Sequence, residues 1–251
     1  MSTYNILITG TKAGIGHGLL SAFASRPNTT IIAAIRDAPD SDKAKAMIAA
    51  VPTIAENTHI IPVQYDASTK SAHEVVASLA TAQPKVTHLD LVIANAAVAT
   101  QWGPTYSVTA EELTTHLNVN TIAPILLYQA TRDLLLASPN TPKFILISTV
   151  IGSIEMTPTI PFQTVVYGLT KAAGNYFTRK ANSEEDKIVI VSVHPGWVQT
   201  DMGNRAASKL GMDAAPLSME ESVKGLVEIF DKADKTMGGT FQQVGGEPLP
   251  W

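Results

Sequence analysis

The sequence contains no cysteine. That absence excludes disulfides, thiolate zinc sites, iron–sulfur clusters and cysteine nucleophiles together. Charge is also sparse: 16% of residues are charged and the net balance is −4. No broad basic field is on offer to nucleic acid or to an anionic membrane surface, although a small basic pocket for one phosphate is compatible with this balance. No apolar run approaches the ~18 residues that suggest a membrane span. The start, MSTYNILITG, runs straight into a strand-like segment without the basic region and long apolar stretch of a signal peptide. The expectation is a soluble, cytoplasmic protein with no nucleic-acid or membrane partner. The six histidines show no close metal-ligand spacing, so no metal site is expected. There is no GxSxG elbow either, which leaves Ser/His/Asp hydrolysis without support.

What is present is a chain of 251 residues, 45% of them hydrophobic, long enough to bury a core without staples. Short apolar runs alternate with longer amphipathic ones. The runs are Asn5–Thr9, Thr30–Ile35, His59–Val63, Leu89–Ala94, Phe144–Ile147 and Ile188–Val193. Near-continuous apolar strands are what a sheet buried on both faces requires. Helices are predicted over Ile15–Ala24, Ser41–Val51, Ser71–Ala80, Glu111–Leu117, Ile122–Leu136, Val166–Ala181 and Ser218–Lys232. Thr109 with Glu112, and Ser218 with Glu221, have the spacing of capping boxes. Pro124 sits near a helical start, where its missing N–H is harmless. Thr149–Val165 and Gly203–Pro216 read as loops, both on the carboxyl side of strands, where open α/β sheets bind ligands. The alternation predicts an α/β fold over residues 1–251 as one domain: a doubly wound, mostly parallel sheet with helices on both faces.

The first strand ends in Thr9-Gly10-Thr11-Lys12-Ala13-Gly14-Ile15-Gly16, and a helix opens at once. Glycines let the backbone turn tightly against a pyrophosphate, and the helix start offers free N–H groups and a favourable dipole. Further on, Tyr167 and Lys171 lie four apart, which places them on one face of a helix. A phenol ordinarily titrates near ~10, and an ammonium beside it is expected to favour the phenolate. Such a pair suits proton transfer at a carbonyl or alcohol oxygen.

The spacing TGxxxGIG resembles the short-chain dehydrogenase/reductase family. Further motifs follow in the family's order: Asp66 after the third strand, Asn95-Ala96-Ala97 closing the fourth, and Asn118-Val119-Asn120 on the long central helix. Ser148-Thr149 then ends the fifth strand, Tyr167 to Lys171 form YxxxK, and Pro195-Gly196-Trp197-Val198-Gln199-Thr200 follows the sixth. The endings Gly239-Thr240-Phe241 and Gly245 to Trp251 look like the branch of carbonyl reductases related to C-factor and sniffer, similar to fungal norsolorinic acid ketoreductase-like proteins.

The resemblance implies a seven-stranded Rossmann sheet and a set of roles. Tyr167 is the proton donor, Lys171 its modulator, and Asn120 holds a water beside the lysine. Thr149, with Ser148 as the alternative, polarises the substrate oxygen. Gly10, Lys12, Gly14, Ile15 and Gly16 cradle the cofactor's phosphates, Asp66 meets the adenine, and Asn95 and Ala96 support the cofactor. Pro195, Gly196, Val198 and Thr200 hold the nicotinamide, alongside Tyr167 and Lys171. Where NAD-binding members carry a carboxylate at the end of the second strand, this chain has Ile35 followed by Arg36, whose guanidinium suits a 2′-phosphate. NADP(H) is therefore the expected cofactor, with Asp37 as the counter-signal.

Thr149 in place of serine and Ala97 in place of glycine depart from the family pattern. Ile151, Ile154, Met156, Ile160, Pro161 and Phe162, with Trp102, Trp197 and Met202, form either an apolar substrate wall or ordinary loop packing. His194 is expected to be held at its strand end by hydrogen bonding. The implied partner is a small carbonyl compound, bulky and hydrophobic, converted by a reversible keto reductase. A catalytically weak NADP-binding regulator on the same fold is the alternative. Family members also form homodimers or homotetramers through the helix before Pro139 and the one carrying Tyr167.

Overall fold

The computed structural model describes residues 3–69 and 71–251. The β-branched runs form seven strands: β1 (Tyr4–Thr9), β2 (Thr29–Ile35), β3 (His59–Gln64), β4 (Leu91–Ala94), β5 (Lys143–Ile147), β6 (Val189–His194) and β7 (Phe241–Gln243). They assemble in the order β3-β2-β1-β4-β5-β6-β7, with every neighbouring pair parallel. The order reverses between β1 and β4, and the crevice beyond their carboxyl ends is where such sheets take ligands.

Side-chain alternation builds a core on each face. Ile6 and Ile8 of β1 join one cluster and Leu7 the other. The first cluster is closed by α1 (Gly14–Ala24), α2 (Asp42–Ala49) and α8 (Met219–Lys232), through residues such as Phe23, Met47 and Phe230. The second is closed by α3 (Ala72–Leu79), α5 (Ala123–Leu136) and α6 (Val165–Glu184), through residues such as Val75, Leu127 and Ala181. None of the helices among the described residues is long and apolar enough to cross a membrane.

Both predicted capping boxes form: Thr109 opens α4 (Ala110–Leu117) with Glu112, and Ser218 opens α8 with Glu221. One element differs from expectation: the stretch read as a loop from Gly203 begins with α7 (Asp201–Lys209), started by Thr200, whose hydroxyl accepts the Gly203 N–H at 3.0 Å. The helices over 111–117 and 122–136 are joined by a π turn, Asn118–Ile122. The seventh strand that the resemblance implied is β7, three residues long and too short to show a period of its own.

Candidate active site

The glycine turn is shaped by contacts that only glycine tolerates. Gly10 and Gly14 have φ of +74° and +57°. A Cβ at Gly16 would sit 2.2 Å from the Gly10 carbonyl oxygen, so this position has no room for a side chain. Asn95 supports the turn from below: its amide donates to the Thr9 carbonyl at 2.8 Å, while the Thr9 hydroxyl accepts from the Asn95 and Ala96 N–H groups, each at 3.0 Å. No side chain caps the start of α1, and no carboxylate lies in its first turn. The backbone cradle is thus open to an anion.

The neighbouring charges fit a phosphorylated dinucleotide. Arg36 is exposed just past β2. Lys12, expected to assist at the phosphate, pairs with Asp37 at 3.1 Å, and Lys43 holds the other carboxylate oxygen at 2.9 Å. These two hydrogen bonds, Lys43 first, hold the Asp37 carboxyl below its usual range. The counter-signal from Asp37 is therefore largely neutralised, and exposed pairs of this kind rearrange at little cost. Asp66 accepts from the Ser68 N–H and hydroxyl at 2.9 and 2.7 Å, which lowers its pKa. Opposite the glycine turn, a Cβ at Gly14 would lie 3.5 Å from the Thr200 side chain, so the loop after β6 closes against the cradle. Gly196 (φ +84°) turns that loop, Ser222 donates to the Pro195 carbonyl at 2.7 Å, and Val198 bridges to Leu217. The nicotinamide loop predicted from Pro195 to Thr200 is thus braced by the start of α8 and by the segment before it.

At the end of β5 the two hydroxyls have different partners. Ser148 donates to Asn175 Oδ1 at 2.7 Å, and Asn175 in turn donates to the Gly152 carbonyl at 3.2 Å. Thr149 only accepts, from the Ile151 N–H at 3.3 Å. Its own proton has no protein acceptor among the described residues. Lys171 is 2% exposed and donates to the Ile147 carbonyl at 2.7 Å, directly before the two hydroxyls. Its ammonium lies 5.7 Å from the centre of the Tyr167 ring. Burial pulls the lysine down to about 8 and pushes the phenol up to about 12. The phenol thus moves opposite to the direction expected from a neighbouring ammonium. Desolvation by burial is the cause of both shifts.

Asn120 is fully buried, and its amide is committed to structure. It accepts the Val98 N–H and donates to the Val98 carbonyl, both at 2.8 Å, and donates to the Thr170 hydroxyl at 3.1 Å. This side chain pins the loop after β4. One turn earlier, His116 accepts the Thr100 N–H at 3.1 Å. His116, Asn175 and Lys43 escaped the sequence reading. Polar residues four apart on a buried helix face, as 116 and 120 are, were the signal available for the first.

The aromatic wall forms across three loops. Phe162 meets Trp102 and Trp197 edge-on, with centroids 6.1 and 5.1 Å apart. Ile154, assigned to the same wall, is instead 75% exposed. His194 differs as well: its Nδ1 is buried with no hydrogen-bond partner, and burial lowers its pKa to about 4.

Known proteins resemble this chain over most of its length. The family model for short chain dehydrogenase matches residues 4–211. Norsolorinic acid ketoreductase of Aspergillus parasiticus is 37% identical over 248 residues, covering 98% of this chain and 90% of that protein. The crystal structure of NADPH-bound carbonyl reductase from chicken fatty liver is 27% identical, with a TM-score of 0.84 and all of both chains covered. Carbonyl reductase Sniffer of D. melanogaster is 27% identical, with a TM-score of 0.82 over 99% of this chain and 100% of that one.

Proposed function

The chain belongs to the short chain dehydrogenase family, and from that premise we propose that it is an NADPH-dependent keto reductase acting on bulky hydrophobic ketones or aldehydes. The ketoreductase and carbonyl reductase relatives support the reaction class, and the NADPH-bound neighbour supports the cofactor. The observation that carries the reading is the division between the two hydroxyls: Ser148 spends its proton on Asn175, whereas Thr149 keeps one for a substrate oxygen.

Gly10, Gly14, Ile15 and Gly16 would hold the cofactor's phosphates at the start of α1. Arg36, with Lys12, would meet the 2′-phosphate, Asp66 the adenine, and Pro195 to Thr200 the nicotinamide. When bound, NADPH supplies the hydride. Thr149 donates a hydrogen bond to the carbonyl oxygen and polarises it. Tyr167, held as the neutral phenol at neutral pH, gives that oxygen its proton. Lys171 remains mostly cationic at pH 7 and stabilises the charge left on the phenolate. Asn120, in the π turn between α4 and α5, would support proton delivery. The Trp102–Phe162–Trp197 wall supplies apolar surface for a bulky ketone.

The test mixes purified protein with NADPH and a panel of bulky aromatic and aliphatic ketones, and follows NADPH consumption. Turnover is expected for some of them, and Tyr167→Phe should lower kcat by on the order of 10²–10⁴-fold, far more than it weakens NADPH binding. Tight NADPH binding with no turnover across the panel would refute the reductase reading.

A further inference from the structure

We propose that Trp251 is a positioning residue that decides how well the site takes a bulky ketone: its carbonyl tethers Glu155, and with it the substrate-side residues 156–162. This role rests on the reductase reading and names what fixes the pocket wall in it. Residues 245–251 take no part in the chemistry described above.

The tether starts from a seated ring. The Leu249 N–H donates to the Phe241 carbonyl at 2.7 Å, and the Gln243 amide donates to the Glu247 carbonyl at 2.8 Å, so this stretch folds back along β7. The Trp251 indole stacks on Phe241, with centroids 5.7 Å apart and planes 19° from parallel. Phe241 is 1% exposed and is paired with Ser192 of β6, so the indole rests on the edge of the sheet itself. The exposed Arg179 of α6 places its guanidinium 5.7 Å from the centre of the same indole. Stacking and the cation together hold the ring. The ring in turn fixes the Trp251 backbone, whose carbonyl accepts the Glu155 N–H at 3.0 Å.

The stretch that follows Glu155 has few other ties. Among the described residues, every hydrogen bond made by residues 156–162 ends within residues 153–160. Beyond them, the Gly103 N–H donates to the Gln163 carbonyl at 2.9 Å, and Gly103 bridges to Thr164. Residues 156–162 therefore hang between two ties, Trp251 at one end and Gly103 at the other. Phe162, which meets Trp102 and Trp197 edge-on, lies in that span.

The catalytic end has an anchor of its own. Asn175 donates to the Gly152 carbonyl at 3.2 Å, and a Cβ at Gly152 would lie 2.8 Å from the Lys171 Cβ. The segment is pressed onto α6 there. Thr149, Tyr167 and Lys171 thus keep their places when the tether at Glu155 is cut. The wall loosens and the chemistry does not, so binding of a bulky ketone suffers while its turnover holds.

The experiment uses the full-length chain with NADPH, taking 2-acetylnaphthalene as the bulky ketone and butanone as the small one, and follows amide hydrogen exchange at Glu155 in parallel. Trp251→Ala should speed that exchange and raise KM for 2-acetylnaphthalene about tenfold, the effect of one lost hydrogen bond, with its kcat and the KM for butanone unchanged. Trp251→Phe keeps a ring to stack on Phe241 and should restore both. Arg179→Gln, at an exposed position that does not threaten folding, should move exchange and KM the same way by about two- to fivefold, the range of an exposed cation–π contact. Unchanged exchange in Trp251→Ala, a KM rise shared equally by both ketones, a loss confined to kcat, or no rescue by Trp251→Phe would each overturn the proposal. If Trp251→Ala does not fold, unchanged exchange in Arg179→Gln overturns it. Exchange requires no substrate. A wild type that reduces neither ketone therefore defeats the reductase reading, whereas unchanged exchange defeats the tether.

Discussion

The carboxyl edge of the sheet holds two regions built on different principles. The dinucleotide side, from β1 to β3, is made of backbone. Gly16 leaves no room for a Cβ, and Thr9 and Asn95 satisfy one another's polar groups beneath it. The substrate side, made by the loops after β4, β5 and β6, is made of side chains in irregular segments. The three buried side-chain polar atoms without partners, among the described residues, all lie there: Gln101 Oε1, Thr164 Oγ1 and His194 Nδ1. A region that grips an invariant ligand can be finished in advance, whereas one that admits a reacting molecule keeps unsatisfied groups.

The sharpest way to break this comparison is at the two hydroxyls that end β5. Thr149→Val removes the uncommitted donor and should lower kcat by on the order of 10²–10³-fold, as loss of an oxyanion donor does. Thr149→Ser should preserve activity. Ser148→Ala should act through Asn175 and the Gly152 carbonyl, costing stability measured by urea unfolding more than it costs kcat. The reverse pattern would transfer the polarising role to Ser148.

The same contrast explains how much was legible beforehand. The glycine turn, the two capping boxes and the YxxxK pair depend on short-range spacing, and each is where the sequence placed it. The strands of the core were legible for the same reason, since apolar alternation is local. What was not legible depends on partners distant in the chain. That Asn120 spends its amide on Val98, that Ser148 is committed to Asn175, and that Asp37 lies between Lys12 and Lys43 are facts of tertiary packing. The direction of the Tyr167 shift belongs here too: spacing foretold the ammonium, but only burial decided that desolvation wins. A three-residue strand and a nine-residue helix on the carboxyl side carried too little pattern to be read.

On the dinucleotide side, a smaller effect is expected from a single side chain. Arg36→Ala should weaken NADPH by about 10–100-fold, the range of a charge-assisted phosphate contact, and leave NADH nearly unchanged. Equal losses for the two would remove Arg36 from phosphate recognition. Asp37→Asn should shift the balance toward NADPH only slightly, because Lys12 and Lys43 already offset that carboxylate.

The smallest effect concerns stability, and it tests whether the unpartnered atoms of the substrate side carry a measurable cost. Burial holds His194 down at about 4, against an ordinary 6.5. Between those values the unfolded chain binds more protons than the folded one, so stability falls as pH drops through that window. From pH 7 to pH 5 the loss from this residue should be about 1–2 kcal/mol. His194→Asn keeps a polar side chain but cannot titrate, so urea unfolding of the variant should show a shallower loss over the same interval. Carboxylates lose their charge in both proteins alike and cancel from the difference. If the two curves fall in parallel, His194 gains a proton as easily folded as unfolded, and its Nδ1 must reach water. The contrast between a satisfied dinucleotide side and an unsatisfied substrate side would then rest on Gln101 and Thr164 alone.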